Sequence, residues 1–241
     1  MLKKIKSLIY ENRQLHKENL LQLKELEWAH VYHDSIRGKE WLGKLPLNIG
    51  RWAGNYSFFY VLNRILSDYK PNSILEFGLG ESSKFVSAYL ENELLKSKHQ
   101  IIEQDENWHQ SFNDRFQLSE RSRVAINVLV KKNIDNHDVN SYSGLKEFIN
   151  QKKFDLYIID GPFGSKHYSR YDIVELAKGF AKNDEFIIII DDYQRIGEKE
   201  TVHELLKLFK EKDITTYWGE YSGNKTVGVL GTKKYKNVKS F

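Results

Sequence analysis

Two near-continuous apolar runs, Phe154-Asp-Leu-Tyr-Ile-Ile159 and Phe186-Ile-Ile-Ile-Ile190, constrain the fold of this chain more than any other feature. A strand with one wet face alternates polar and apolar residues, and these runs leave no polar face. Each is expected to lie in a sheet covered by helices on both sides. From Pro71 onward the strand candidates 73–77, 100–103, 124–130, 154–160 and 186–191 alternate with helical stretches, which predicts a mainly parallel sheet of the α/β class. Thr215 to Tyr221 and Thr226 to Thr232, joined by Ser222-Gly-Asn-Lys225, read as a closing antiparallel hairpin.

The 241 residues suffice for one sizeable α/β domain with an extension, divided here into 1–70 and 71–241. Residues 2–29 place Leu2, Ile5, Leu8, Ile9, Leu15, Leu23 and Leu26 among charges without Pro or Gly, predicting an amphipathic helix. Its apolar stripe calls for a surface: its own domain, a sister subunit, or a membrane interface reached through basic residues. A second helix carries Phe59, Val61, Leu62, Ile65 and Leu66, and this helical extension is expected to cover the sheet and close over substrate. No cysteine is present, which removes disulfides and thiolate metal sites. A net charge of +4 with scattered basic residues does not indicate a nucleic-acid partner. With no apolar run near the ~20 residues of a membrane span, a cytoplasmic or membrane-peripheral location is expected.

The first strand candidate ends in Glu76-Phe-Gly-Leu-Gly80-Glu-Ser-Ser83. Gly78 and Gly80 allow a sharp turn and close approach to a ligand, and Ser82 and Ser83 are placed to cap the following helix, whose free N–H groups then face that ligand. Two cofactor classes use such a turn. A dinucleotide site prefers a third Gly or Ala where this chain has Ser83, and Glu76 would repel a pyrophosphate. The same carboxylate favours an α-ammonium, so S-adenosylmethionine is read in preference to NAD. Glu103, at the end of the second strand candidate, stands at the offset where such folds hold ribose hydroxyls, and is expected to accept from both.

With Glu76-Phe-Gly-Leu-Gly80 as first motif, Glu103 as second, and strand ends at Asp160 and Asp191, residues 50 to 232 resemble the class I S-adenosylmethionine-dependent methyltransferases. The resemblance implies a Rossmann-like fold with a seven-stranded sheet whose last strand runs antiparallel. Asp160, Asp191 and Asp192 form a carboxylate cluster that is costly unless a cation or shared proton neutralises it, and Mg²⁺ or Mn²⁺ is the expected cation. The pattern is similar to metal-dependent O-methyltransferases acting on catechols and sugar hydroxyls, many of which have Asp-Asn where this chain has Asp191-Asp192. Capping and turn roles for these aspartates stay open.

The loop Asp160-Gly-Pro-Phe-Gly-Ser-Lys-His-Tyr-Ser-Arg-Tyr-Asp172 resembles the Asp-Gly-Pro loop of carbohydrate O-methyltransferases, including those methylating uronic acid residues. Asp160, Asp192 and His167 are candidate catalytic groups, with His167 as general base or as a plain surface histidine. Arg170 is read as a substrate anchor or as an intramolecular ion-pair partner, and Tyr168, Tyr193 and Trp52 as ring-stacking or packing residues. The resulting expectation is O-methylation of a sugar or glycan precursor with metal assistance. The rivals are a metal-independent small-molecule or N-methyltransferase and a catalytically idle assembly module.

Overall fold

A computed structural model describes residues 2–50, 52–150 and 152–241. The helical extension comprises α1 (Leu2–Ser35), α2 (Glu40–Gly43) and α3 (Tyr56–Tyr69). The body follows as β1 (Ser73–Phe77), α4 (Glu81–Asn92), β2 (Lys98–Glu103), α5 (Glu106–Asn113), β3 (Ser122–Ile126), β4 (Leu129–Ile134), β5 (His137–Tyr142), α6 (Leu145–Ile149), β6 (Leu156–Ile159), α7 (Asp172–Ala177), β7 (Ile187–Ile190), α8 (Ile196–Glu211), β8 (Tyr217–Ser222) and β9 (Thr226–Gly231), with a terminal 3₁₀ segment over Lys233–Lys239.

Seven strands form one sheet in the order β3-β2-β1-β6-β7-β9-β8, in which only β9 runs against the rest. This is the Rossmann-like class I methyltransferase topology. The two isoleucine-rich runs became β6 and β7, buried at every position because helices cover both faces. Chain order reverses between β1 and β6, and that switch point is where an open parallel sheet binds ligand. Register sets the site: Phe77 pairs with Ile102 and Ile159, and Ile159 with Ile190. Gly78, Glu103, Asp160 and Asp191 therefore emerge level along one sheet edge.

One core face joins β1, β6, β7 and β9 to α3, α4 and Tyr32 of α1, and the other joins the same strands to α7 and α8. Asn55 caps α3, its side-chain oxygen accepting from Phe58 N–H at 3.2 Å. The extension thus covers the sheet as expected, but α1 does so only from Trp28 onward. Ile5, Leu8, Ile9, Leu15, Leu23 and Leu26 stay 47–61% exposed, so the stripe does not pack on its own domain. Among the described residues no helix is long and apolar enough to cross a membrane.

Candidate 124–130 is corrected: β3 ends at Ile126 and the chain enters a separate hairpin, β4 with β5. Asp135 and Asn136, both at positive φ, make its turn. The exposed Lys131-Lys-Asn133 gives β4 no apolar alternation to read.

Candidate active site in a cleft at the sheet edge

A cleft of about 890 Å³ opens over the switch point. Its floor is the turn after β1. Gly78 sits at φ 93°, and a Cβ there would lie 3.3 Å from Gly161 N, so the β1 and β6 ends touch through glycines. Gly80 differs: its backbone is extended and an added Cβ would meet no protein atom within 4 Å. Gly80 lines the cleft, so a larger side chain there would project into it. Ser83 Oγ accepts from Gly80 N–H at 3.1 Å and caps α4.

Glu103 lines the cleft beside this turn and is already engaged. Its Oε2 accepts from Leu79 N–H at 2.8 Å, and its Oε1 from the N–H groups of Gln104 and Asp105 at 2.7 and 2.9 Å. A carboxylate has about four acceptor sites, so Glu103 keeps one for a hydroxyl rather than the two expected. Trp108 forms the adjoining wall, held by its indole N–H donating to Leu79 O at 2.7 Å, with Arg115 5.3 Å from its ring centre.

Across the cleft, Asp160, Asp191 and Asp192 converge, with one oxygen from each within 4.8 Å of the others. Arg170 lies among them, only 4% exposed. It donates to Asp160 Oδ1 and Asp192 Oδ2, both at 3.1 Å, and to the carbonyls of Ile159 and Asp191 at 3.2 and 2.8 Å. Its Nε faces Glu198 at 3.8 Å. Arg195 reaches Asp192 Oδ2 at 3.0 Å, and Lys225 Nζ lies 3.4 Å from Asp191 and 3.5 Å from Asp192. Four carboxylates therefore meet three cations of the chain itself. Burial first, then Asp191, pushes Asp160 up to about 8, against the pull of Arg170 and Lys225; burial likewise raises Asp191.

This arrangement bears on the divalent ion expected from the sequence. The triad converges, yet Lys225 and Arg170 hold Asp191 Oδ2, both oxygens of Asp192 and Asp160 Oδ1, and Asp191 Oδ1 alone among the triad oxygens is buried without a hydrogen-bond partner. The donor set does not fit a resident Mg²⁺ or Mn²⁺ while those cations stay in place.

Trp52, Ser82, Asp160, Arg170 and Asp192 line the cleft as expected, but Arg170 is a counter-ion locked by acids of the chain and not a free anchor. Four assignments are corrected. Glu76 is fully buried, does not line the cleft, and is held by Ser82 Oγ and His99 Nε2, so it offers nothing to an ammonium group. His167 turns to Glu200 at 2.9 Å and stacks on His137 at 4.1 Å, away from the cleft. Tyr168 donates to Asp135 on the β4–β5 turn, and Tyr193 packs on Trp218, neither reaching the cleft. Helix α8 explains the outward turn of the loop: Ser169 N–H donates to Gly197 O at 3.1 Å and Thr201 Oγ1 to Ser169 O at 2.6 Å, pinning the loop flat. Lys225, Arg195, Glu198 and Trp108 were missed, and only their residue types could have signalled them.

No family model matches the chain, and no curated protein matches it. Solved structures that resemble it include a provisionally assigned O-methyltransferase from Klebsiella pneumoniae at 13% identity, covering 90% of this chain and 96% of that one with a TM-score of 0.49. Others are TomG of Streptomyces achromogenes with S-adenosylmethionine, an O-methyltransferase of tomaymycin synthesis, at 11% identity, covering 84% and 89% with a TM-score of 0.49. An O-methyltransferase from Bacillus cereus with S-adenosylhomocysteine is 13% identical, covering 84% and 91% with a TM-score of 0.46.

Proposed function

We propose that this chain is an S-adenosylmethionine-dependent O-methyltransferase acting on a hydroxyl of a sugar or glycan precursor. One observation carries the reading: a single cleft joins the glycine turn at Gly78–Gly80 to a carboxylate, Asp160, whose proton affinity is raised toward neutrality. The donor fits the first side. The Gly78–Gly80 turn and the start of α4 would hold its amino-acid end, the remaining acceptor site of Glu103 a ribose hydroxyl, and Trp108 the flat base. When bound, the donor supplies a methyl group on a sulfonium, so that its S–C bond breaks as the new C–O bond forms and the electron pair stays with sulfur.

The chain then has two tasks, alignment and proton removal. Asp160 takes the acceptor's proton through the oxygen not held by Arg170. Trp52, 98% exposed on the cleft rim, offers a flat face for a sugar ring. Arg195, half exposed beside Asp192, suits a carboxylate on the acceptor, in keeping with a uronic acid.

Calorimetric titration with S-adenosylhomocysteine tests the donor side. Wild type is expected to bind it and to ignore NAD. Gly80→Val, whose backbone angles suit any residue, is expected to keep its melting temperature and lose roughly 10- to 100-fold in affinity. Binding of NAD instead, or unchanged affinity in Gly80→Val, would remove the reading.

A further inference from the structure

Lys225 ends the turn between β8 and β9, and its ammonium reaches the cleft wall. It donates to Ala53 O at 2.9 Å and to Asp191 Oδ2 at 3.4 Å, and lies 3.5 Å from Asp192 Oδ1. Three acceptors match the three N–H bonds of an ammonium group. The side chain is only 15% exposed, and the turn that delivers it is held on both flanks. Glu25 of α1 accepts from Asn224 N–H at 2.8 Å, Trp28 donates its indole N–H to Ser222 O at 3.0 Å, and Gln194 Oε1 accepts from Thr226 N–H at 2.8 Å. The same Glu25 accepts from Asn55 and Tyr56 N–H at the start of α3, so the extension, the hairpin and the β7 end are tied at one point.

The position matters because the ammonium lies within ion-pair distance of Asp191 Oδ2 and Asp192 Oδ1, two oxygens that a divalent ion held by both residues would compete for. Arg170 engages the triad through Asp160 Oδ1 and Asp192 Oδ2, oxygens that Lys225 does not contact. An ion entering between them would meet two fixed positive charges at contact range of its own ligands, and their repulsion opposes its binding. Dehydrating Mg²⁺ adds to that cost.

We propose that Lys225 is the resident cation of this site: its ammonium occupies the place between Asp191 and Asp192 that a divalent metal would take, excludes that metal, and provides the positive charge beside the acceptor oxygen. The exclusion stands on metal binding alone, and the second role rests on the methyl-transfer reading. The ammonium is anchored to the main chain at Ala53, so its charge stays at the cleft wall whether or not an acceptor is present. Methyl transfer then needs no added ion.

Titration of the full chain with Mn²⁺, following free ion by electron paramagnetic resonance, tests the exclusion. Wild type is expected to take up no Mn²⁺ through about 1 mM, and Lys225→Met, similar in length and neutral, to gain one site at least about tenfold tighter. Lys225→Arg is expected to remain without one. Lys225→Gln serves the same purpose if the Met variant melts below assay temperature. Uptake by wild type as tight as by Lys225→Met, or no gain in either neutral variant, would overturn the proposal. So would a loss of more than about tenfold in wild-type turnover on adding EDTA. S-adenosylhomocysteine titration of the same samples separates the two claims: failure to bind it would sink the methyl-transfer reading and leave the Mn²⁺ result intact.

Discussion

Asp160→Asn is expected to lower turnover by about 10²- to 10⁴-fold, the usual contribution of a positioned general base, while S-adenosylhomocysteine affinity changes by less than about threefold. Asn keeps an acceptor for the Arg170 contact at Asp160 Oδ1, so the cluster stays assembled and the loss isolates proton transfer. The two pH profiles separate as well. With Asp160 pushed up to about 8, the base is mostly protonated at pH 7, and wild-type turnover should rise close to tenfold per unit below that value and level off above it. Asp160→Asn should lack that limb. Loss of turnover with the limb intact would move the base elsewhere.

Stability should show the opposite slope. Asp160 binds its proton more tightly folded than unfolded, about 8 against an ordinary 3.8. Its favourable contribution is therefore fully present below the unfolded value and is lost as pH rises through the folded one. Between pH 5 and 9 the wild-type melting temperature should fall relative to that of Asp160→Asn. The same residue would thus gain activity and lose stability over one pH window, the signature of a carboxylate kept near neutrality by its surroundings.

The fold was legible where burial writes itself into composition. The runs that became β6 and β7 admit no polar face, and the Gly78 turn needs a positive φ, so sheet and switch point followed from residue types. The acid triad was legible too, because adjacent strand ends must share one sheet edge. Of what answers its charge, only Arg170 was legible, through its ion-pair reading. Lys225 lies 33 residues beyond Asp192, in a turn whose position is set by Glu25 and Trp28 of a helix near the other end of the chain. His167 and Tyr168 misled for the same reason: loop composition names polar residues, but the packing of Ser169 on Gly197 decides which way they point. The stripe on α1 was read as apolar, and Ile5, Leu8, Ile9, Leu15, Leu23 and Leu26 remain exposed because the helix packs on the body only from Trp28 onward.

Arg170 decides between two views of the cluster, and Arg170→Met is expected to have the largest effect on stability. The side chain is 4% exposed and lies within ion-pair distance of Asp160, Asp192 and Glu198. Removing its charge leaves the oxygens of Glu198, already without hydrogen-bond partners, facing no cation there, and removes one of the cations on Asp192. Breaking a buried pair in this way costs about 3–5 kcal/mol, which for a chain of this size lowers the melting temperature by roughly 6–20 °C. Adding Glu198→Gln to Arg170→Met should recover part of that loss, because it removes the least compensated of the stranded charges. A guanidinium that served instead as a substrate anchor, as the sequence also allowed, would behave differently. Arg170→Met would then raise KM with the melting temperature unchanged, and Glu198→Gln would rescue nothing.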